Sequence, residues 1–210
     1  MSQNKLVAVI TTSTRTPRIG PKVADVVKTI IGKDAADNGI ELGSVDVASF
    51  NLPIYDESVV PAQVPALARF SHAHSIAWSG EIARYDGYIL VVPEYNWGVA
   101  GATKSAIDYL YNEWIGKPAA VVSYGIAGGR RASEQVGGTL EGMKLRVAAT
   151  RPALSFAGGA GPDLVAAMGH GEIGDESRKS WETDGSGDIL KAFAELRGLL
   201  EEPPRPKTQS

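Results

Sequence analysis

One short stretch gathers the groups that hold an anion: Thr11-Thr12-Ser13-Thr14-Arg15-Thr16-Pro17-Arg18-Ile19-Gly20. Thr12, Ser13, Thr14 and Thr16 offer hydroxyls, and Arg15 and Arg18 offer cations. The stretch follows an apolar run and ends at Gly20-Pro21, where a helical pattern begins. Free N–H groups and the helix dipole favour negative charge at such a start. Hydroxyls alone also suit an ordinary turn, but two arginines at a helix start point to a phosphate.

Two further loops carry unusual composition. Pro93-Glu94-Tyr95-Asn96-Trp97-Gly98-Val99-Ala100-Gly101 offers the flat faces of Tyr95 and Trp97, with Asn96 as both donor and acceptor. Aromatic planes with a few placed polar groups suit a planar ligand, although each aromatic taken singly suits core packing equally well. Ser123-Tyr124-Gly125-Ile126-Ala127-Gly128-Gly129-Arg130-Arg131 is rich in glycine, which frees backbone N–H groups to face a ligand edge.

These loops need a scaffold that brings them together. Leu6-Val7-Ala8-Val9-Ile10, Tyr88-Ile89-Leu90-Val91-Val92 and Ala119-Ala120-Val121-Val122 are continuously apolar, as buried parallel strands are. Val45-Asp46-Val47-Ala48-Ser49-Phe50 and Ala153-Leu154-Ser155-Phe156 are weaker strand candidates. Val23, Val26, Val27, Ile30 and Ile31 form one helical stripe between Pro21 and Gly39. Further helices are predicted over about residues 65–84, around Ala106 to Trp114, over 133–146, and from Ile189 to Leu200.

Strand and helix alternate five times, which implies an α/β three-layer sandwich around a parallel sheet. With the three apolar strands central, the five-stranded order 2-1-3-4-5 follows, the flavodoxin-like arrangement. Ligands in such sheets sit at the C-terminal strand ends where the winding reverses, between the first and third strands. The three loops converge there, and a phosphate beside a flat ring then reads as FMN. The predicted contacts are Thr12, Ser13, Arg15, Arg18, Ile19, Gly20, Pro93, Glu94, Tyr95, Asn96, Trp97, Ser123, Tyr124, Gly125 and Gly128.

Bulk properties narrow the function. A length of 210 residues suits one domain, taken as residues 1–202 with a loose tail at 203–210. Ala157 to Gly185 fits no element and reads as a lid, a subunit contact or a mobile insertion. The net charge of −3 argues against a general nucleic-acid binder. The chain has no cysteine, which excludes thiolate chemistry, disulfides and cysteine metal sites. No apolar run is long enough for a membrane span, and the start lacks a signal-peptide pattern, so a cytoplasmic setting is expected.

Other signals carry less. Gly169-His170-Gly171-Glu172-Ile173-Gly174 fits a dinucleotide pattern but follows no strand. His72 and His74 lie two apart, facing different ways on a helix, so no metal site is expected. Arg130-Arg131 reads as a solvated helix start, with contact to an NADPH phosphate as the other possibility.

The loops carry a resemblance to the NADPH-dependent FMN reductase family. It rests on Ser13 and Arg15, on Leu52-Pro53-Ile54-Tyr55-Asp56, and on Pro93-Glu94-Tyr95-Asn96-Trp97-Gly98 followed by Lys104-Ser105-Ala106-Ile107-Asp108. Lys117-Pro118 and Ser123-Tyr124-Gly125 continue it. Thr12 stands where the family usually has glycine. The resemblance implies an FMN enzyme that takes electrons from NADPH or NADH in a two-step, ping-pong cycle. It passes them to quinones or similar flavin, azo or metal-oxyanion acceptors, and no side chain is an obligatory acid or base. It also implies a homodimer or homotetramer, for which Tyr109, Tyr111 and Trp114 are either contact or core residues. The rival readings are a flavodoxin-type electron carrier and a flavin-based redox-sensing partner protein.

Overall fold

A computed structural model describes residues 4–202. In chain order the elements are β1 (Lys5–Thr11), α1 (Gly20–Asp37), β2 (Ile40–Asp46), α2 (Ala73–Ala83), β3 (Gly87–Tyr95), β4 (Gly98–Val99) and α3 (Gly101–Asp108). There follow β5 (Pro118–Gly125), α4 (Arg130–Gly142), β6 (Arg146–Val147), β7 (Ala153–Ser155), α5 (Pro162–His170), α6 (Asp175–Thr183) and α7 (Ser186–Glu201). The tail expected at 203–210 lies outside the described residues.

The sheet runs β2-β1-β3-β5-β6, with β7 also on β5 and β4 on β3. This is the expected flavodoxin-like winding, but with seven strands rather than five. The fifth position is shared: β6 pairs with the start of β5 and β7 with its end, both parallel. The other addition, β4, is a short antiparallel return of β3 through the turn at Asn96 and Trp97.

Alternation on the central strands divides the core into two layers. Val7, Val9, Ile89, Val91, Ala120 and Val122 face α1 and α7. Ala8, Ile10, Tyr88, Leu90 and Val121 face α2, α3 and α4. The second layer holds Trp78, Tyr88, Tyr109 and Trp114, all essentially buried. Tyr88 meets Trp114 edge-on at 4.7 Å between ring centroids, a geometry worth about 0.5–1.5 kcal/mol beyond area burial. Tyr109 and Trp114 are therefore core residues, which removes both from any subunit contact.

Several boundaries differ from the sequence reading for local reasons. The second strand is Ile40–Asp46, and residues 47–50 form a 3-10 turn. Asp46 stops the strand by accepting from the Ala48 amide at 3.1 Å. The second helix covers only Ala73–Ala83, because the Glu57 carboxylate takes the Ser71 and His72 amides and holds the preceding chain outside the helix. The third ends at Asp108 and the fourth runs Arg130–Gly142 instead of 133–146. Lys144, at φ 68°, turns the chain into β6.

His72 precedes α2 rather than lying in it, so its ring stacks on that of His74 at 5.2 Å, contrary to the helical expectation. Asp56 accepts from the Tyr109 hydroxyl at 2.7 Å and lies 3.1 Å from His74 Nε2. No cluster able to hold a metal is found among the described residues. None of their helices is long and apolar enough to cross a membrane. The Ala157 to Gly185 stretch holds two helices, α5 and α6. Trp181 of α6 is buried and donates to the Ser155 carbonyl at 2.7 Å, which fixes this stretch to the sheet.

Candidate functional site

The loop after β1 is shaped from beneath. The Thr12 hydroxyl donates to the Val91 carbonyl at 3.0 Å and accepts from Thr103 at 2.8 Å. The side chain thus joins β1 to β3 and α3. Its backbone is not among the left-handed residues, so the position does not require the family's glycine. Ser13 is likewise buried; its Oγ makes no hydrogen bond of good geometry and has the Tyr124 hydroxyl as a polar neighbour. The Tyr124 hydroxyl feels Ser13 and the Arg18 and Arg15 charges, yet burial dominates and pushes that phenol above its ordinary value.

The two arginines of this loop are not equivalent. Arg18 donates to Asp46 Oδ1 and Oδ2 at 2.9 and 2.6 Å and to the Ser13 carbonyl at 2.5 Å. The Asp46 contact raises its pKa further, and the guanidinium acts as a brace across the loop. Arg15 is exposed and, among the described residues, pairs with no carboxylate and donates to the Met168 carbonyl at 3.1 Å. α1 then starts without a side-chain cap and without an acidic residue in its first turn. A buried hydroxyl, an arginine that pairs with no carboxylate among the described residues and an uncapped helix start fit a phosphate.

The second loop is a tight hairpin. Asn96 and Trp97 have φ of 49° and 61°, the signs required by the two-residue turn that matches strand twist. Holding tryptophan in a left-handed conformation costs about 1–2 kcal/mol. Its ring is 65% exposed, with the Arg131 guanidinium 5.0 Å from the ring centre. An exposed cation–π contact contributes only about 0.5–1 kcal/mol, so the contact does not offset the strain. Glu94 caps α4, accepting from the Arg131 and Ala132 amides at 3.0 and 3.2 Å. The Val99 amide donates to Gln135 of the same helix at 2.8 Å.

In the third loop the Ser123 hydroxyl donates to the Gly128 carbonyl at 2.7 Å. Gly128 has φ 78°, and a Cβ there would press on Ala153 at 2.9 Å. This close approach lays the loop flat against β7.

Between the loops lies a cleft of about 510 Å³. Of the expected residues, Arg15, Arg18, Ile19, Pro93, Glu94, Tyr95, Asn96, Tyr124 and Gly125 line it. Of the others, Thr12, Ser13 and Gly20 are buried within the first loop, Trp97 follows the lining residue Asn96, and Ser123 and Gly128 brace the third loop; none of these lines the cleft. The sequence reading missed Ile126 and Phe156, and above all Leu164, Ala167 and Met168 of α5. Their spacing of i, i+3 and i+4 between Pro162 and Gly171 was the available signal. α5 ends against the first loop, with Gly171 on the Arg18 backbone and a Lys22–Glu172 ion pair beside it. The Gly169 to Gly174 pattern thus spans a helix end and the next helix start, with no strand before it.

A model of NADPH-dependent FMN reductases matches residues 6–159. The chain is 48% identical to the NAD(P)H-dependent FMN reductase ntnL of Nectria sp over 94% of its own length and 98% of that protein. It is 37% identical to the NAD(P)H-dependent FMN reductase LOT6 of Saccharomyces cerevisiae, over 67% and 76% of the two chains. Among solved structures it superposes on FerB, a flavoenzyme NAD(P)H:(acceptor) oxidoreductase from Paracoccus denitrificans, with a TM-score of 0.61. That pair shares 21% identity over 91% and 98% of the two chains, a likeness of fold.

Proposed function

The chain belongs to the NADPH-dependent FMN reductase family, and from that premise we propose that its cleft holds FMN while NADPH or NADH and a flat acceptor such as a quinone use its open side in turn. When bound, FMN would supply the two-electron redox chemistry that links nucleotide oxidation to acceptor reduction. The protein's own part is to hold and orient.

Ser13 Oγ, Arg15 and the start of α1 hold the phosphate, while Arg18 keeps the loop in shape through Asp46. Tyr95, Asn96 and the Tyr124–Gly125 backbone border the ring. Leu164, Ala167 and Met168 give the cleft an apolar wall that limits water beside it. No side chain needs to transfer a proton in this scheme. The observation that carries the reading is the uncapped start of α1, with no acid in its first turn, beside an Arg15 that pairs with no carboxylate among the described residues.

The test is direct. Purified protein should carry flavin that runs as FMN on release, bleach on addition of NADPH without air, and recolour when a quinone is added. Initial rates should give parallel double-reciprocal lines for the nucleotide and the quinone. No nucleotide oxidation with any acceptor would leave an electron carrier, and intersecting lines would rule out the alternating use of one site.

A further inference from the structure

We propose that Trp97 and Arg131, supported by Arg130, form the subsite for the adenosine 2′-phosphate of NADPH, and so set a preference for NADPH over NADH. The inference rests on the flavin reductase reading of the cleft.

Trp97 is the one exposed tryptophan; Trp78, Trp114 and Trp181 are all at most 2% exposed. It lies in a left-handed turn position that disfavours a bulky side chain, and its contact with Arg131 returns less than the backbone strain costs. A strained, exposed aromatic held in place by its surroundings marks a binding role more often than a packing one.

The surroundings do hold it. The Arg131 amide is bound to Glu94, which lines the cleft, and Gln135, four residues further along α4, fixes the strand after Trp97. The platform therefore has a set position one residue beyond Asn96 at the cleft margin. Arg131 and Arg130 are both exposed at the start of α4, and neither pairs with a carboxylate among the described residues.

In this arrangement a nucleotide with its nicotinamide in the cleft leads its adenosine end out past Asn96, which lines the cleft and precedes Trp97. Adenine stacks on an aromatic face, and guanidinium groups grip a phosphomonoester through paired charge-assisted hydrogen bonds. NADPH differs from NADH by that phosphate alone. A neutral quinone would gain nothing from two arginines, so the charge selects the nucleotide.

The experiment uses the FMN-loaded protein, titrated with adenosine 2′,5′-bisphosphate or 5′-AMP and followed by tryptophan fluorescence. The bisphosphate should quench Trp97, and it should bind about tenfold or more tightly than 5′-AMP, the effect of one charge-assisted contact. Arg131→Ala should abolish that difference, and should lower the ratio of kcat/KM for NADPH to that for NADH about tenfold through KM. Arg131→Lys should restore part of both. Equal affinity for the two probes overturns the proposal. So does an equal loss with both nucleotides, including one accompanied by a changed oligomeric state, which would make the platform a subunit contact. The probe titration decides the subsite even where neither nucleotide is oxidised, an outcome that would refute the enzymatic reading separately.

Discussion

The Oγ atom of Ser13 occupies the space that a Cβ on residue 20 would need. The helix start and the first loop are therefore fitted to each other through an absent side chain, with the Tyr124 hydroxyl 3.1 Å from the same point. Gly20→Ala should displace the Ser13 hydroxyl and lower FMN affinity by about two orders of magnitude, the equivalent of roughly 3 kcal/mol. Quenching of flavin fluorescence on titration measures it. Wild-type affinity in this variant would place the phosphate elsewhere.

Ser13→Ala separates binding from stability. Deleting a buried hydroxyl that makes no hydrogen bond of good geometry removes a desolvation cost of about 1–3 kcal/mol. The flavin-free variant should melt at or above the wild-type temperature while FMN affinity falls about tenfold. A lower melting temperature would mean that the hydroxyl has a structural partner.

Arg15 and Leu164 should fail in opposite ways. Arg15→Ala should weaken FMN about 10- to 100-fold, the loss of one charge-assisted bond. It should leave riboflavin, which lacks the phosphate, unaffected. Leu164→Ser removes apolar wall instead, worth about 1 kcal/mol of half-buried surface, and should weaken FMN and riboflavin by the same factor. The two affinity ratios, measured side by side, test both assignments. A phosphate-dependent effect of Leu164 would refute the wall.

What the sequence made legible follows from how each feature is encoded. The central strands and α1 are written in contiguous apolar residues, and the first loop in hydroxyls and arginines beside a helix start. Their placement could be read directly. The different roles of Arg15 and Arg18 could not, because Asp46 lies 28 residues from Arg18 and meets it only when β2 pairs with β1. Glu57 likewise acts on amides 14 and 15 residues away. The split fifth strand was hidden because β6 and β7 are two and three residues long, too short for any periodicity. The α5 wall was obscured by the glycines and charges around it, although its own caps and spacing were present.

Glu57 provides a pH-dependent test of the loop that leads into α2. Its carboxylate is 8% exposed and accepts from the Ser71 amide and hydroxyl and from the His72 amide. Burial pushes its pKa up, but these hydrogen bonds outweigh it and hold the group at about 2, below the ordinary 4.5. Because the folded value lies below the unfolded one, the stabilisation is complete above about pH 4.5 and is lost as pH falls toward 2. Glu57→Gln should therefore lower stability by about 1–3 kcal/mol at pH 7, the range for hydrogen bonds to a charged group and for leaving donors unsatisfied. The gap between variant and wild type should close progressively as pH is lowered from 4.5 to 2. Urea unfolding midpoints across that range measure it. A gap that stays constant with pH would show that the carboxylate acts through packing rather than through its charge.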